Sequence, residues 1–412
     1  MNPRQGGPCQ GIRNSSSAWQ RLGIVNEVVC LDDPTEPFLV EDDFPVHAIG
    51  ASKGPSAYNA KLFPWLLENL CSFDVILVHG LWQYHGYAVR KALKVLRKKL
   101  LLTNPTDCKL PKLFVMPHGM LDPYFQTAPS RRLKAVRNWI YWKFIESKLI
   151  NQADGVLFTC EEELRLARST FSNYKPKKEL NVGYGIAEPL RFTPAIEKAF
   201  LDRCPTVRSR PYILFISRIH EKKGLDLLLT AYAELVRSKA EVEKGSGELG
   251  TVGNAKVNVC HPELPVLVIA GPGLDTRYGR RLGKLAAALP AGSISFPGML
   301  TGDAKWGAFY GCRAFVLPSH QENFGIAVAE AMACGKPVLI SNQVNIWREI
   351  ATSGGGLVED DSVAGTLKLL RSWCQLNELE QHAMGKRARA TYLQHFAISS
   401  AAQKMFTALQ QA

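Results

Sequence analysis

The sequence predicts an α/β protein made of two doubly wound domains, each with a parallel sheet. Three observations carry this. Short continuous apolar runs alternate with longer helical patterns, the runs fall into two clusters, and a strandless stretch with prolines separates the clusters. A length of 412 residues suits two domains.

In order, the first cluster holds VNEVVCL (25–31), FDVILVHG (73–80), KLFVMPHG (112–119) and GVLFTC (155–160). The second holds YILFIS (212–217), VLVIAG (266–271), RAFVLPS (313–319) and KPVLIS (336–341). Unbroken apolar runs are buried on both faces, which is the condition of a parallel strand covered by helices. Residues 185–210 carry three prolines and no strand pattern, and the domain boundary is placed there. The first domain is read as 1–190, the second as 191–388, and a closing helical segment as 389–412. Residues 239–262 are polar and glycine-rich and read as an exposed insertion without a catalytic role.

The beginning breaks the pattern. A doubly wound domain opens with a strand and then a glycine-rich turn, yet Gly6, Gly7 and Pro8 arrive after only five residues. Either the chain starts late or its first strand is missing. A missing central strand would strip ladder hydrogen bonds from both of its neighbours.

Apolar residues make up 46% and charged ones 21%, which excludes disordered, collagenous and coiled-coil classes. The ten cysteines stand singly, with no Cys-x-x-Cys pair and no Cys/His cluster at zinc spacing. They are expected to be reduced thiols of a cytosolic protein. The N-terminus lacks the pattern of a signal peptide, and no apolar run approaches the ~20 residues that span a bilayer, so a soluble or peripherally bound protein is expected.

The formal net charge of +13 suits nucleic acid, an anionic membrane surface or phosphorylated substrates. Between His85 and Ile150, fourteen Lys or Arg stand against three acids. Two helical stretches, 88–102 and 131–150, set these cations beside Leu, Val, Trp and Tyr. That pattern suits a helix lying on an anionic bilayer, and also a solvated face above an ordinary core stripe. No nucleic-acid motif accompanies it, so nucleic acid is not an expected partner.

The densest chemical signal is LPSHQENFGIAVAEAMACGKPVLIS (317–341). A strand ends in a polar loop and a helix starts near Phe324 and Gly325. Backbone N–H groups and the positive end of the helix dipole then face the carboxyl edge of the strand, which makes an anion site. Glu322 in the loop and Glu330 two turns into the helix can reach one elongated ligand. A carboxylate that accepts two hydroxyl hydrogen bonds suits a sugar or a ribose. Taken alone, the pair could equally be a dipole-favoured Glu and an exposed helical one.

The pattern around them, E-N-F-G-x4-E-A-M-A-C-G-K-P-V, resembles the E-x7-E signature of retaining glycosyltransferases of family 4, the group 1 glycosyltransferases of the GT-B fold. A second segment agrees: FISRIHEKKGLDLLLTAYAEL (215–235) resembles the family's strand, Gly-Arg, Glu-Lys-Gly and helix, with Ser217 where Gly is commoner. The resemblance covers most of the chain and is strongest from Ser217 to Glu349.

It implies two Rossmann-like domains facing a cleft, the first for the acceptor and the second for a nucleotide-sugar, with 389–412 crossing back to the first. It implies that Arg218 and Lys223 hold the diphosphate, where two cations offset the charge that builds on the leaving group. Glu322 would hold hydroxyls of the donor sugar, backbone at Phe324 and Gly325 would donate hydrogen bonds, and Glu330 would hold the ribose. AGPG (270–273) resembles the family's glycine-rich turn, and Phe296 to Met299 would line the base pocket. In the first domain PRQGGPCQG (3–11) resembles the acceptor-side glycine loop, with Gly6 and Gly7 near the phosphates. VMPHGMLDPYF (115–125) places His118 where the family's His faces the reacting sugar. His79, followed by Trp82 and Tyr84, is a similar strand-end His, left open between ligand contact and core packing.

The implied activity is transfer of a sugar, with retention, from a nucleotide-sugar to a saccharide or lipid-linked saccharide acceptor. No dedicated metal site and no cofactor are expected. Surface polysaccharide biosynthesis is the expected setting, in the cytoplasm at the inner face of the plasma membrane, with peripheral contact to anionic lipid. The other reading is a catalytically degenerate GT-B protein that binds nucleotide-sugar or membrane without transfer.

Overall fold

In the computed structural model, which describes residues 1–2, 7–39, 42–103, 109–128, 131–245 and 264–411, the long unbroken apolar runs become strands of parallel sheets. The chain divides into two compact units, Met1–Ala187 with Phe396–Ala412, and Glu188–His395.

The first unit pairs β1 (Val28–Cys30) with β2 (Val46–Ala48). A separate four-stranded sheet runs β3 (Val75–His79), β4 (Lys112–Met116), β5 (Gly155–Phe158) and β6 (Glu179–Asn181) in that order, all parallel. Alternate residues of β4 and β5 serve opposite faces, as the pleat requires. Phe114, Met116 and Leu157 pack with Trp19 of the helix Gly7–Arg21 and with Ala402 and Met405 of the helix Ile398–Gln411. Val115, Val156 and Phe158 join the cluster that holds Leu66, Ala88 and Ala92, from the helices Leu62–Asn69 and Tyr84–Thr103.

The second unit carries β7 (Tyr212–Ile216), β8 (Val266–Ala270), β9 (Ile294–Gly298), β10 (Ala314–Leu317), β11 (Val338–Ser341) and β12 (Gly356–Glu359), all parallel, in the order β12-β11-β10-β7-β8-β9. Strand order reverses between β7 and β10, and sheets of this class bind ligands outside the carboxyl ends of the strands at such a reversal. The first unit differs. Among the described residues its strands form two separate sheets, in which β1 pairs only with β2 and β3 only with β4.

Two expectations change. The helix Leu225–Gly245 runs into the stretch read as an insertion, whose residues 246–262 lie outside those described. Cys71 is bound in a disulfide, while Cys9, Cys30, Cys160, Cys204, Cys312, Cys334 and Cys374 are free thiols. Spacing along the chain does not show which cysteines the fold brings within bridging distance, so the expectation of uniformly reduced thiols fails at Cys71. No helix among the described residues is long and apolar enough to cross a membrane.

Candidate functional site

At the strand-order reversal of the second unit, the chain leaves β7 through Ser217, Arg218 and Ile219, makes one helical turn at Glu221–Lys223, and passes Gly224 at φ +65°. A Cβ on Gly224 would lie 1.9 Å from the carbonyl oxygen of Pro318, so glycine is what lets the loops after β7 and β10 touch. The loops are joined by the His320 N–H and the Ser319 hydroxyl, both donating to the Lys222 carbonyl at 2.9 Å. Glu322 is held to the next loop: its N–H donates to Gln343 and its carbonyl accepts from Asn345, each at 2.9 Å.

This scaffold brings Lys223 Nζ onto Glu322 Oε2, a direct ion pair between largely buried side chains. Burial, and then Lys222 and Arg218, press the Lys223 ammonium down to about 7. Arg218 itself is exposed.

Gly325, at φ +82°, caps the helix Ile326–Ala333. The N–H groups of Val328 and Ala329 both return to the Gly325 carbonyl, so the amides before them point out of the helix at the positive end of its dipole. Phe324, just before Gly325, is buried. Glu330 lies on the same helix and accepts from Lys305 Nζ at 2.6 Å. Burial pushes the Glu330 carboxyl up, and Lys305 opposes the rise. Lys305, from the helix Gly302–Gly311, carries no motif and is absent from the sequence reading. Met299 is exposed just past the edge strand β9, two strands from β7.

In the first unit, His79 ends β3 and His118 follows β4 by two residues on the adjacent strand. His79 Nδ1 lies 2.9 Å from His118 Nε2, with the rings stacked at 5.2 Å and 19°. Burial lowers both imidazoles, His79 to about 4, so both are neutral near pH 7 and share a single N–H···N bond. They line a pocket with Ser15, Trp19, Gly183 and Tyr184. Gly7 opens the helix Gly7–Arg21, and its carbonyl accepts from the Tyr184 hydroxyl. Gly6 lies outside the described residues. His79, left open by the sequence, sits in the pocket against His118.

The helix Arg132–Tyr141 buries Asn138 and exposes Leu133, Val136, Trp139 and Ile140. Lys143 sits over the rings of Trp139, at 5.3 Å, and of the exposed Phe144, at 5.7 Å. The apolar residues of this helix are therefore not a core stripe.

Residues 204–391 match the family model of glycosyl transferases group 1, and residues 6–182 match that of a glycosyl transferase 4-like domain. The chain belongs to the group 1 glycosyltransferase family. The group 1 match contains Arg218, Lys223, Met299, Glu322, Phe324, Gly325 and Glu330, and the other contains Gly7, His79 and His118. A D-inositol 3-phosphate glycosyltransferase of Geodermatophilus obscurus is 28% identical over 228 residues, 54% of this chain and 43% of that protein. The chain thus spans under half the length of that curated relative. Among solved structures, a sucrose-phosphate synthase from Thermosynechococcus elongatus is similar at TM-score 0.68 and 18% identity, over 98% of this chain and 93% of the other. Anabaena HepE, solved with UDP and glucose, gives TM-score 0.66 and 15% identity over 100% and 98%. At these identities the likeness establishes the fold, which is GT-B.

Proposed function

We propose that this chain is a retaining glycosyltransferase that moves a sugar from a nucleotide-diphosphate sugar to a saccharide or lipid-linked saccharide acceptor. The observation that carries the reading is the contact of Lys223 with Glu322 at the strand-order reversal, where a sheet of this class takes its ligand. Lys223 and Arg218 take the diphosphate, and the amides at Phe324 and Gly325 donate to its oxygens. Glu322 takes hydroxyls of the donor sugar, Glu330 takes the ribose, and Met299 lies against the base. As the glycosidic bond breaks, negative charge builds on the departing diphosphate, and the two cations and the helix end offset it with no metal ion or cofactor in the scheme. The acceptor hydroxyl attacks on the face the nucleotide leaves, so anomeric configuration is retained.

His118 is the residue assigned to the transferred sugar. Being neutral, it acts through hydrogen bonding rather than as a cation. Gly7 and the helix it opens lie on the acceptor side. The outward Leu133, Val136, Trp139 and Phe144 among Arg132, Lys134, Arg137 and Lys143 favour peripheral contact with an anionic bilayer, as a lipid-linked acceptor of surface polysaccharide assembly at the inner face of the membrane would require. UDP in a structural neighbour supports a uridine diphosphate sugar as the first donor to try.

The test is incubation of the purified chain with UDP-, GDP- and ADP-sugars while free nucleoside diphosphate is followed. Release from one donor that is lost in Lys223→Ala, with the donor's anomeric configuration in the product, is expected. Binding of a donor without any transfer assigns the chain instead as a degenerate GT-B protein.

A further inference from the structure

His118 has φ +53°, a left-handed conformation that a non-glycine residue keeps only where its surroundings over-determine it. Two residues with no role in the reading above supply that determination. Glu163, 2% exposed in the first turn of the helix Glu161–Thr170, accepts from the Gly119 N–H, from the Thr159 N–H at 2.8 Å and from the Thr159 hydroxyl at 2.6 Å. Its carboxylate therefore ties the backbone turn behind His118 to the end of β5. His79 holds the ring. The His79 carbonyl accepts from His85 Nε2 at 3.1 Å, which fixes His79 at its strand end, and its Nδ1 meets His118 Nε2.

We propose that His79 and Glu163 are positioning residues that hold His118 by ring and by backbone, so that His118 meets its ligand through Nδ1 alone. The pair contains one shared proton. If His79 Nδ1 carries it, His118 is protonated at Nδ1 and donates to the ligand; if His118 Nε2 carries it, Nδ1 accepts. In both cases Nε2 is occupied. The proposal rests on the reading of His118 as the sugar contact.

The experiment uses the full chain labelled with 15N, imidazole NMR across pH, and hydrolysis of UDP-glucose. In the wild type, His118 shows one fixed tautomer and titrates well below the ordinary imidazole range. His79→Leu frees the ring: the tautomers average, titration moves toward the ordinary range near ~6.5, and kcat falls about ten- to a hundredfold with KM changed less than about twofold. His79→Asn, whose amide reaches the place of Nδ1, recovers most of both losses. Glu163→Gln lowers kcat in the same direction. A fixed tautomer and an undiminished kcat in His79→Leu overturn the proposal, and where no hydrolysis is seen the spectrum alone decides. His118→Ala separates the two layers. Wild-type turnover in that variant, with the His79→Leu spectrum changed as expected, removes the sugar contact and leaves the tether standing.

Discussion

Lys223 and Glu322, 99 residues apart in the chain, hold each other in an ion pair at the carboxyl edge of β7 and β10. Each is also a residue proposed to meet the donor. The site is therefore charged against itself, and the proposed donor would replace one internal pair with two external ones, diphosphate on Lys223 and hydroxyls on Glu322.

Glu322→Gln removes the internal competitor for the ammonium. Binding of the nucleoside diphosphate tightens about three- to tenfold, on the order of 1 kcal/mol, while donor hydrolysis falls at least about tenfold for want of the sugar contact. Calorimetric titration beside the hydrolysis assay checks both. Weaker nucleotide binding in the variant would mean that Glu322 orients Lys223 rather than masking it.

Lys223 sets a pH limit on binding. Burial lowers its ammonium to about 7, and phosphate needs the charged form, so affinity is full below about 7 and falls as pH rises through it. The loss approaches roughly tenfold per pH unit, with one proton taken up on binding. Lys223→Arg flattens the profile, because guanidinium keeps its proton. A flat wild-type titration from pH 6.5 to 8.5 would contradict the assignment.

Lys305→Met leaves the Glu330 carboxylate buried without its cation, and its carboxyl climbs further. A protonated Glu330 accepts fewer hydroxyls, so nucleotide affinity in the variant, taken relative to the wild type at the same pH, weakens as pH falls. The Lys223 dependence is common to both proteins and cancels in the ratio of variant to wild-type affinity, which falls with falling pH in Lys305→Met and stays constant in Lys305→Met with Glu330→Gln.

Glu146 in the first unit accepts from the Trp82 N–H at 2.9 Å through one oxygen, while the other has no partner among the described residues. Burial raises its carboxyl to about 7. Its unfolded value is the lower one, so the stability is fully present below pH 4.5 and is lost as pH rises through about 7. Glu146→Gln stabilises the protein by about 2 kcal/mol at pH 8 and by little at pH 4.5, read from urea midpoints. Equal midpoints at pH 8 would show that the carboxylate is solvated.

Much of the fold was legible in the sequence, and the part that was not has one cause. Six of the eight runs found in advance became interior strands, such as β5, β8 and β10, every residue of which is buried, while the other two became β1 and β3, which pair on one side only among the described residues. The strands missed were β2, β6, β9 and β12, all at sheet edges, short or half-exposed, and carrying polar residues or Pro and Gly that break an apolar run. The site divides in the same way. Glu322, Phe324, Gly325, Glu330 and Lys223 sit in compact motifs where one loop sets their spacing. Lys305, His79 and Glu163 act through partners 25, 39 and 44 residues away, and no local pattern marks contacts made only by folding.

The most direct test of the account is calorimetric titration of UDP, GDP and ADP into the wild-type chain and Lys223→Ala. The account predicts that one nucleoside diphosphate binds the wild type and that Lys223→Ala weakens it at least about tenfold, the loss of a charge-assisted contact of roughly 1.5–3 kcal/mol. A folded wild-type protein that binds none of the three, or a Lys223→Ala variant that binds as tightly as the wild type, would contradict it.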